Sequence, residues 1–389
     1  MTSQHTIYLD YSATTPTDPR VVEKMLPYLT ENFGNTSSLH QHGRKAEDAV
    51  ETAREEIAKI FNCKPSEIIF TSGGSESDNL AIRGVGLGRI EDGKHLITTP
   101  VEHSAVGNTF KQLAQYAGFD VTFQPVNQAG LIDVEELLEN CQAGTTFASI
   151  IYANNEIGSI HDIKQISDHL KLKGVILHTD AVQAAGQLSL DVQALGVDVM
   201  SISAHKFYGP KGVGALYCRE GVPLVSAQTG GSHEQGRRAG TLNTAGIVGM
   251  AEALRLAEAE KAERVANYRL LSKILQEGLL QRISGAYLTG HPDRRLPSHS
   301  SFVFEEVDST RLLMQLDMAG ISASGGSACK TGNPEPSSVL LAMGYPADLA
   351  IGSLRLSLGK HTTEADIEYA VDKIAHAVER VRKLRQALS

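Results

Sequence analysis

The stretch Ser201-Ile202-Ser203-Ala204-His205-Lys206, followed by Tyr208-Gly209-Pro210-Lys211-Gly212, ends an apolar run with a lysine and continues into a rigid, glycine-rich turn. A lysine at the mouth of a strand, walled by a hydroxyl and an imidazole, suits Schiff-base chemistry. Twenty-six residues earlier, Val175-Ile176-Leu177-His178-Thr179-Asp180 is a second apolar run ending in a charge, this time a carboxylate. Either residue alone reads as solvated loop surface, the usual place of a Lys or Asp just past a strand. In an open α/β sheet, however, ligands bind at the carboxyl ends of the strands, which is where the patterning puts both. As a pair they fit a pyridoxal phosphate site. Lys206 would hold the cofactor aldehyde, and Asp180 would pair with the pyridinium nitrogen so that the ring accepts electrons.

Other strand ends carry further pieces. Ile68-Ile69 leads into Phe70-Thr71-Ser72-Gly73-Gly74-Ser75-Glu76-Ser77-Asp78-Asn79, after which Leu80, Ala81 and Val85 keep helical spacing. This predicts a strand, a tight turn and a helix start. Paired glycines let the backbone close on an anion, and the free N–H groups of the helix N-terminus, with the Ser75 hydroxyl, suit a phosphate. The same residues also fit an ordinary capped helix, with Ser75 and Asp78 as a capping arrangement. Pro100-Val101-Glu102-His103-Ser104-Ala105 follows the strand-like Leu96-Ile97-Thr98-Thr99 and opens the next helix. His103 can lie over a pyridine ring and shuttle protons there, or serve structure alone. Ser149-Ile150-Ile151 runs into Tyr152-Ala153-Asn154-Asn155-Glu156-Ile157-Gly158. Its amides suit a phenolic oxygen or a substrate carboxylate, or a plain turn.

These segments, with Tyr8-Leu9-Asp10-Tyr11-Ser12-Ala13-Thr14-Thr15-Pro16 and Gly325-Gly326-Ser327-Ala328-Cys329, resemble those of the cysteine desulfurases, in the class V aminotransferase group of fold-type I pyridoxal phosphate enzymes. The likeness runs from about Ile7 to about Arg382. It implies an α/β fold with a large domain (16–260), built on a mostly parallel sheet flanked by helices. A smaller α+β domain (1–15 and 261–389) would carry the catalytic cysteine loop. By position, the resemblance makes Lys206 the cofactor lysine, Asp180 the pyridinium partner and His103 the stacking acid/base. Gln183 and Asn155 would bond the phenolic oxygen, and Gly74, Ser75, Ser203 and His205 would form the phosphate cup. Thr241 would reach the cofactor phosphate of the neighbouring subunit of a homodimer. Arg355 would clamp the substrate carboxylate with its fork of donors, with Asn154 beside it.

Cys329 is the implied nucleophile. Its surroundings, Ser324 to Pro334, are too polar and glycine-rich to be buried, and Lys330 beside it favours the thiolate. The glycines and the length of this segment resemble the subgroup with an extended active-site loop. Lys330-Thr331 departs from the Thr-Ser that relatives often carry after the cysteine, a difference that bears on loop dynamics and partner preference. The implied reaction converts L-cysteine to L-alanine and leaves a persulfide on Cys329. The sulfur would pass to acceptor proteins, for iron–sulfur cluster assembly, tRNA thiolation or cofactor synthesis. A selenocysteine lyase, or another class V enzyme on small amino acids, would share the cofactor shell, and a non-catalytic sulfur-transfer scaffold would share the fold.

Composition narrows the setting. Four cysteines in 389 residues, with no Cys-x-x-Cys pair, argue against a metal site or a disulfide framework and suggest a reducing, cytoplasmic compartment. No apolar run approaches the roughly 18 residues of a membrane span. With a formal net charge of −9, nucleic-acid binding through a basic surface is not expected. Ala251 to about Leu280 keeps helical spacing throughout and reads as one bridging helix. Ser301 to Phe304 and Arg355 to Leu358 read as strands, and Thr363 to about Leu388 as a helix. The N-terminal segment is expected to pack on one domain without indicating which, and the chain's end at Ser389 suggests the absence of the longer tail some relatives use for docking.

Overall fold

The structure, a computed structural model, describes residues 6–326 and 335–388. In chain order its strands are β1 (Ile7–Tyr8), β2 (Ile68–Thr71), β3 (His95–Thr98), β4 (Asp120–Phe123), β5 (Thr145–Ser149), β6 (Ile176–Asp180), β7 (Val199–Ser203), β8 (Gly214–Cys218), β9 (Ala286–Leu288), β10 (His299–Phe304), β11 (Ile321–Ser322) and β12 (Ser353–Ser357). Seven of them form one sheet in the order β2-β8-β7-β6-β5-β3-β4. All neighbours in it are parallel except β8, which runs antiparallel to both β2 and β7.

The central strands are buried along their whole length, as expected when helices cover both faces of a parallel sheet. Alternation still divides their side chains. Ile69, Leu96, Phe147, Ile176, Val199 and Leu216 pack on one face with the helices Gly74–Gly88 and Ser104–Ala117. Phe70, Ile97, Ala148, Leu177, Met200 and Ala215 pack on the other. There the helix Gln41–Phe61 presents Val50, Ala53, Ile57, Ala58 and Phe61, a stripe at helical spacing, and ends at Asn62 in a left-handed conformation. Because parallel strands all point the same way, the loops after β2, β3, β5, β6 and β7 emerge along one rim of the sheet.

A separate cluster joins Tyr268, Leu271, Leu275 and Leu279 to Phe302 and Phe304 of β10, Leu354 and Leu356 of β12, and Ile367, Val371, Ile374 and Val378 of the helix Glu364–Leu388. Ile7 and Leu9 belong to it, and β1 pairs in parallel with β11, so the N-terminal segment packs here. The expected bridging helix is two helices, Thr244–Ala259 and Lys261–Arg282, broken at Glu260, whose φ and ψ are −98° and 1°. The reason is a change of partner: Ile247, Met250, Leu254 and Ala257 bury in the core cluster of the large sheet and its helices, and Tyr268 onward in that of the small one. Continuous spacing hides a bend whose two arms serve different cores. Among the described residues, no helix is long and apolar enough to cross a membrane.

One charge pair is buried inside the larger body. Arg54, on the helix Gln41–Phe61, forks onto Glu234 at 2.9 and 2.7 Å, and Glu234 also accepts the Phe70 N–H at 2.8 Å. Glu234 and its neighbour Gln235 sit at φ 49° and 58°, unusual for residues with a Cβ, so the pair holds a strained loop against β2. Removing one partner strands the other charge. Arg54→Met is expected to cost about 3–5 kcal/mol, and Glu234→Gln added to it to restore part of that, since no charge is then left buried. Urea unfolding of the single and double variants measures this, and a loss under about 1 kcal/mol for Arg54→Met would show that the pair holds nothing.

Candidate active site

The rim of the sheet encloses a cavity of about 310 Å³. Asp180 and Ser203 end adjacent strands, paired so that Asp180 lies opposite Ser201, and the chain past Ser203 turns through a short 3-10 segment, Ala204–Lys206. Strand pairing therefore brings Lys206 beside Asp180 despite their separation in sequence. Lys206 Nζ donates to the carbonyls of Ser12, at 2.5 Å, and Ala13, at 2.8 Å. Burial, then the nearby Arg355 guanidinium, lowers its pKa to about 8, with Asp180 and Asp10 opposing. Asp180 accepts the Val182 N–H at 2.9 Å. Burial raises its carboxyl, while that hydrogen bond, His103 and Lys206 pull the other way.

At one end of the cavity the helix Gly74–Gly88 points its N-terminus inward, with Gly74 and Ser75 in the lining. Gly73 is the N-cap, at φ 152°, and no side chain caps the helix, so Ser75 is not the cap that the capping reading expected. A Cβ on Gly74 would stand 2.8 Å from Val182 Cγ2, so only glycine leaves this cradle open. Ser203 and His205 complete it. His205 Nδ1 lies 3.1 Å from Thr14 Oγ1, and burial followed by the charges of Lys206 and Lys211 lowers its pKa to about 4, which leaves the ring neutral at pH 7.

Arg355 reaches the other end from the middle of β12 and is buried rather than solvated at a strand edge. Its guanidinium donates to Asp10 Oδ1 at 2.9 Å and to the Asn155 carbonyl at 3.0 Å, and its Nε has no partner. Asp10, which the sequence reading left without a role, is held by Ser324 Oγ at 2.8 Å. His103, Asn155 and Gln183 also line the cavity. Gln183 donates to the Ser12 carbonyl at 3.0 Å, and the His103 ring caps its own helix by accepting the Ala105 N–H at 3.2 Å.

Two expected residues lie elsewhere. Asn154 is fully buried and absent from the lining. Its oxygen accepts the N–H groups of Glu156 and Ile157, and its amide donates to the Val101 carbonyl at 2.7 Å. Its polar atoms thus hold the turn, which corrects the expectation of a substrate contact. Thr241 is exposed and away from this chain's cavity. Cys329 lies outside the described residues, but the flanks of its segment are anchored near Arg355. Gly326 N donates to Ser353 Oγ at 3.1 Å, and Ser337 Oγ donates to Glu156 Oε2 at 2.6 Å.

An anion cradle at a helix start, a desolvated amine, a buried carboxylate and a guanidinium thus face one chamber. The aminotransferase class-V family matches residues 7–370 of the chain. This chain belongs to that family. It is similar to "Cysteine desulfurase IscS" of Clostridium botulinum (strain Hall), 46% identical over 380 residues, which are 97% of this chain and 96% of the relative. The same name is borne by a protein of Methanosarcina thermophila, 44% identical over 98% of this chain and 94% of its own. Among solved structures, a "NifS-like protein" superposes with a TM-score of 0.91 at 37% identity, covering 97% of this chain and 100% of that one. Family membership thus rests on nearly the whole length, the strands of both the large and the smaller sheets included.

Lys206 offers a direct check on this electrostatic setting. Only the neutral amine acylates, so labelling of Lys206 by acetic anhydride in the native protein is expected to rise with pH through about 8. Arg355→Gln removes a cation that favours the neutral form and should move the midpoint upward. Mass spectrometry of the labelled peptide reads both. A native midpoint at the ordinary lysine value of about 10.4 would refute the desolvated amine.

Proposed function

We propose that this chain is a pyridoxal phosphate-dependent cysteine desulfurase that converts L-cysteine to L-alanine and carries the sulfur as a persulfide on Cys329. The observation behind this reading is the convergence of Lys206, Asp180 and Arg355 on one cavity in a chain so similar to proteins named cysteine desulfurase. The residues present fit pyridoxal 5′-phosphate. Gly74 leaves room beside Val182 at a helix N-terminus, Asp180 turns a buried carboxyl into the chamber, and Lys206 is an amine with lowered basicity. Gly74, Ser75, Ser203 and His205 would hold the phosphate, Gln183 and Asn155 the phenolic oxygen, His103 the ring face and Asp180 the ring nitrogen.

When bound, pyridoxal phosphate supplies an electron-accepting ring that stabilises negative charge released at the substrate α-carbon. The protein's own groups do the rest. Arg355 exchanges Asp10 for the cysteine carboxylate and fixes the substrate by a two-point contact. Lys206, neutral for a good part of the time near pH 8, removes the α-proton and returns a proton to the product. His103, in the lining of the same chamber, would move a proton there. The Cys329 thiolate attacks the substrate sulfur, so that an S–S bond forms and the C–S bond breaks. The freed carbon takes a proton and becomes the methyl group of alanine, while Cys329 retains the outer sulfur.

The reading extends to a homodimer in the cytoplasm, with Thr241 serving the neighbouring subunit's phosphate site, and to sulfur-acceptor proteins for iron–sulfur cluster assembly or thiolation pathways. The exposure of Thr241 outside its own cavity supports the first of these. It extends also to two domains, residues 16–260 and residues 1–15 with 261–389, supported by separate apolar clusters in which Ile7 and Leu9 side with the C-terminal part. With L-cysteine, the wild type is expected to yield alanine and a protein-bound persulfide. Cys329→Ser should lose the persulfide and at least about 100-fold in rate, the scale expected for a missing nucleophile. Alanine per subunit, counted with and without reductant, decides it, and an undiminished Cys329→Ser rate would overturn the assignment.

A further inference from the structure

Beneath Asp180 the cavity floor holds a second carboxylate that this reaction does not use. Asp78, on the helix Gly74–Gly88, is 1% exposed and lines the chamber. Its Oδ1 has no hydrogen-bond partner, and the Ser201 hydroxyl of β7 bonds the side chain. The imidazole facing it, His178 of β6, has Nε2 3.7 Å from Oδ1. That ring is wholly buried, with Nδ1 2.8 Å from Ser149 Oγ and Nε2 2.9 Å from Ser201 Oγ. Both nitrogens are thus engaged by hydroxyls, and burial lowers the ring's pKa to about 3, so it brings no cation. The ionisable groups that face Asp78 from the neighbouring elements are acids: Asp180 from β6, and Glu102 from the turn before the helix Ser104–Ala117. Lys206 and His103 act on Asp180 instead.

An ionised Asp78 would have an oxygen with no donor, no facing cation and two acidic neighbours, each a reason for a buried carboxyl to keep its proton. Glu102 is in a similar position. Its Oε1 takes the Ile151 N–H and the Thr99 hydroxyl, its Oε2 takes nothing, and burial raises it to about 8. Asp180 differs from both by facing the cations Lys206 and His103. We propose that Asp78 is a positioning residue that stays a neutral acid, leaving Asp180 as the anion of the cavity floor and the one that a cofactor's ring nitrogen meets. What Asp180 meets rests on the cofactor reading above, whereas the state of Asp78 belongs to the folded chain itself.

Asp78→Asn keeps the shape and the bond to Ser201 but cannot ionise. A buried acid raised above its unfolded value of about 3.9 contributes stability that is full below that pH and is lost as pH rises toward the folded value. Melting temperatures of the full-length wild type and Asp78→Asn, measured from about pH 4 to 9, should therefore diverge in favour of the variant as pH rises. A pH-independent difference, or one that turns toward the wild type, overturns the proposal. With pyridoxal phosphate added, the pH profile of the visible absorption band should be unmoved in Asp78→Asn. A displacement of about one unit or more would mean that a charge had been removed beside Asp180. Asp78→Ala, which deserts Ser201, should loosen cofactor binding about ten-fold, and Asn should restore it; equal losses in both variants count against a neutral acid. If the wild type takes up no cofactor at all, the cofactor reading fails, and the melting series still decides Asp78.

Discussion

The main chain of residues 7 to 18 is the seam on which the site depends. Its N–H groups bond to Gly320 and Ser322, the Ser357 N–H bonds back to Leu9, and Ser12 N reaches Ser357 Oγ, which ties the strap to the small sheet. Three residues later Thr15 N donates to the His205 carbonyl, and the Tyr208 N–H returns to Thr15 Oγ1, which ties it to the turn after β7. Between these anchors lie the two carbonyls that hold Lys206 and the carboxylate that holds Arg355. Backbone groups removed from water need partners, and this short polar segment finds them on both sides of the chamber. The distance between amine and guanidinium is thereby set by hydrogen bonds that neither sheet could make alone.

The charges of the chamber follow from where solvent is excluded. Depth makes Lys206 less basic, His205 and His178 neutral, and the carboxyls of Asp78, Asp180 and Glu102 reluctant to ionise. The environment thus distinguishes three similar acids, since only Asp180 meets cations, Lys206 and His103, that pull against the effect of burial. Such sorting of titratable groups is common where proton transfers are carried out near neutral pH.

Much of this was legible in the linear chain because parallel strands carry a simple rule. Each apolar run that ends in a polar or charged residue delivers that residue to one rim, so Lys206, Asp180, His103 and the Gly73-Gly74 turn group together from the sequence pattern alone. Contacts without a local signal were not legible. Asp10 and Arg355 are 345 residues apart, and nothing around Asp10 announces a partner. Asn154 and Asn155 are the same residue type side by side, yet the turn spends one side chain on its own backbone and leaves the other facing the chamber. Helical spacing ran unbroken through Glu260 because each half of the pattern was correct for its own core. Ser75 shows the reverse case, in which a residue common at caps stands two positions too late and Gly73 does the opening.

The pairing of Asp10 with Arg355 gives the chamber a resident tenant. Before any substrate arrives, the guanidinium already holds a carboxylate through one of its terminal nitrogens, from a side chain steadied by Ser324. An incoming carboxylate is therefore weighed against an existing one, and only the surplus over Asp10 becomes affinity. A neutral amide or alcohol must displace a full ionic contact with a weaker bond, and so meets a barrier that an empty pocket would not raise. Discrimination at this end of the chamber thus comes from what the protein already holds as much as from what it can reach.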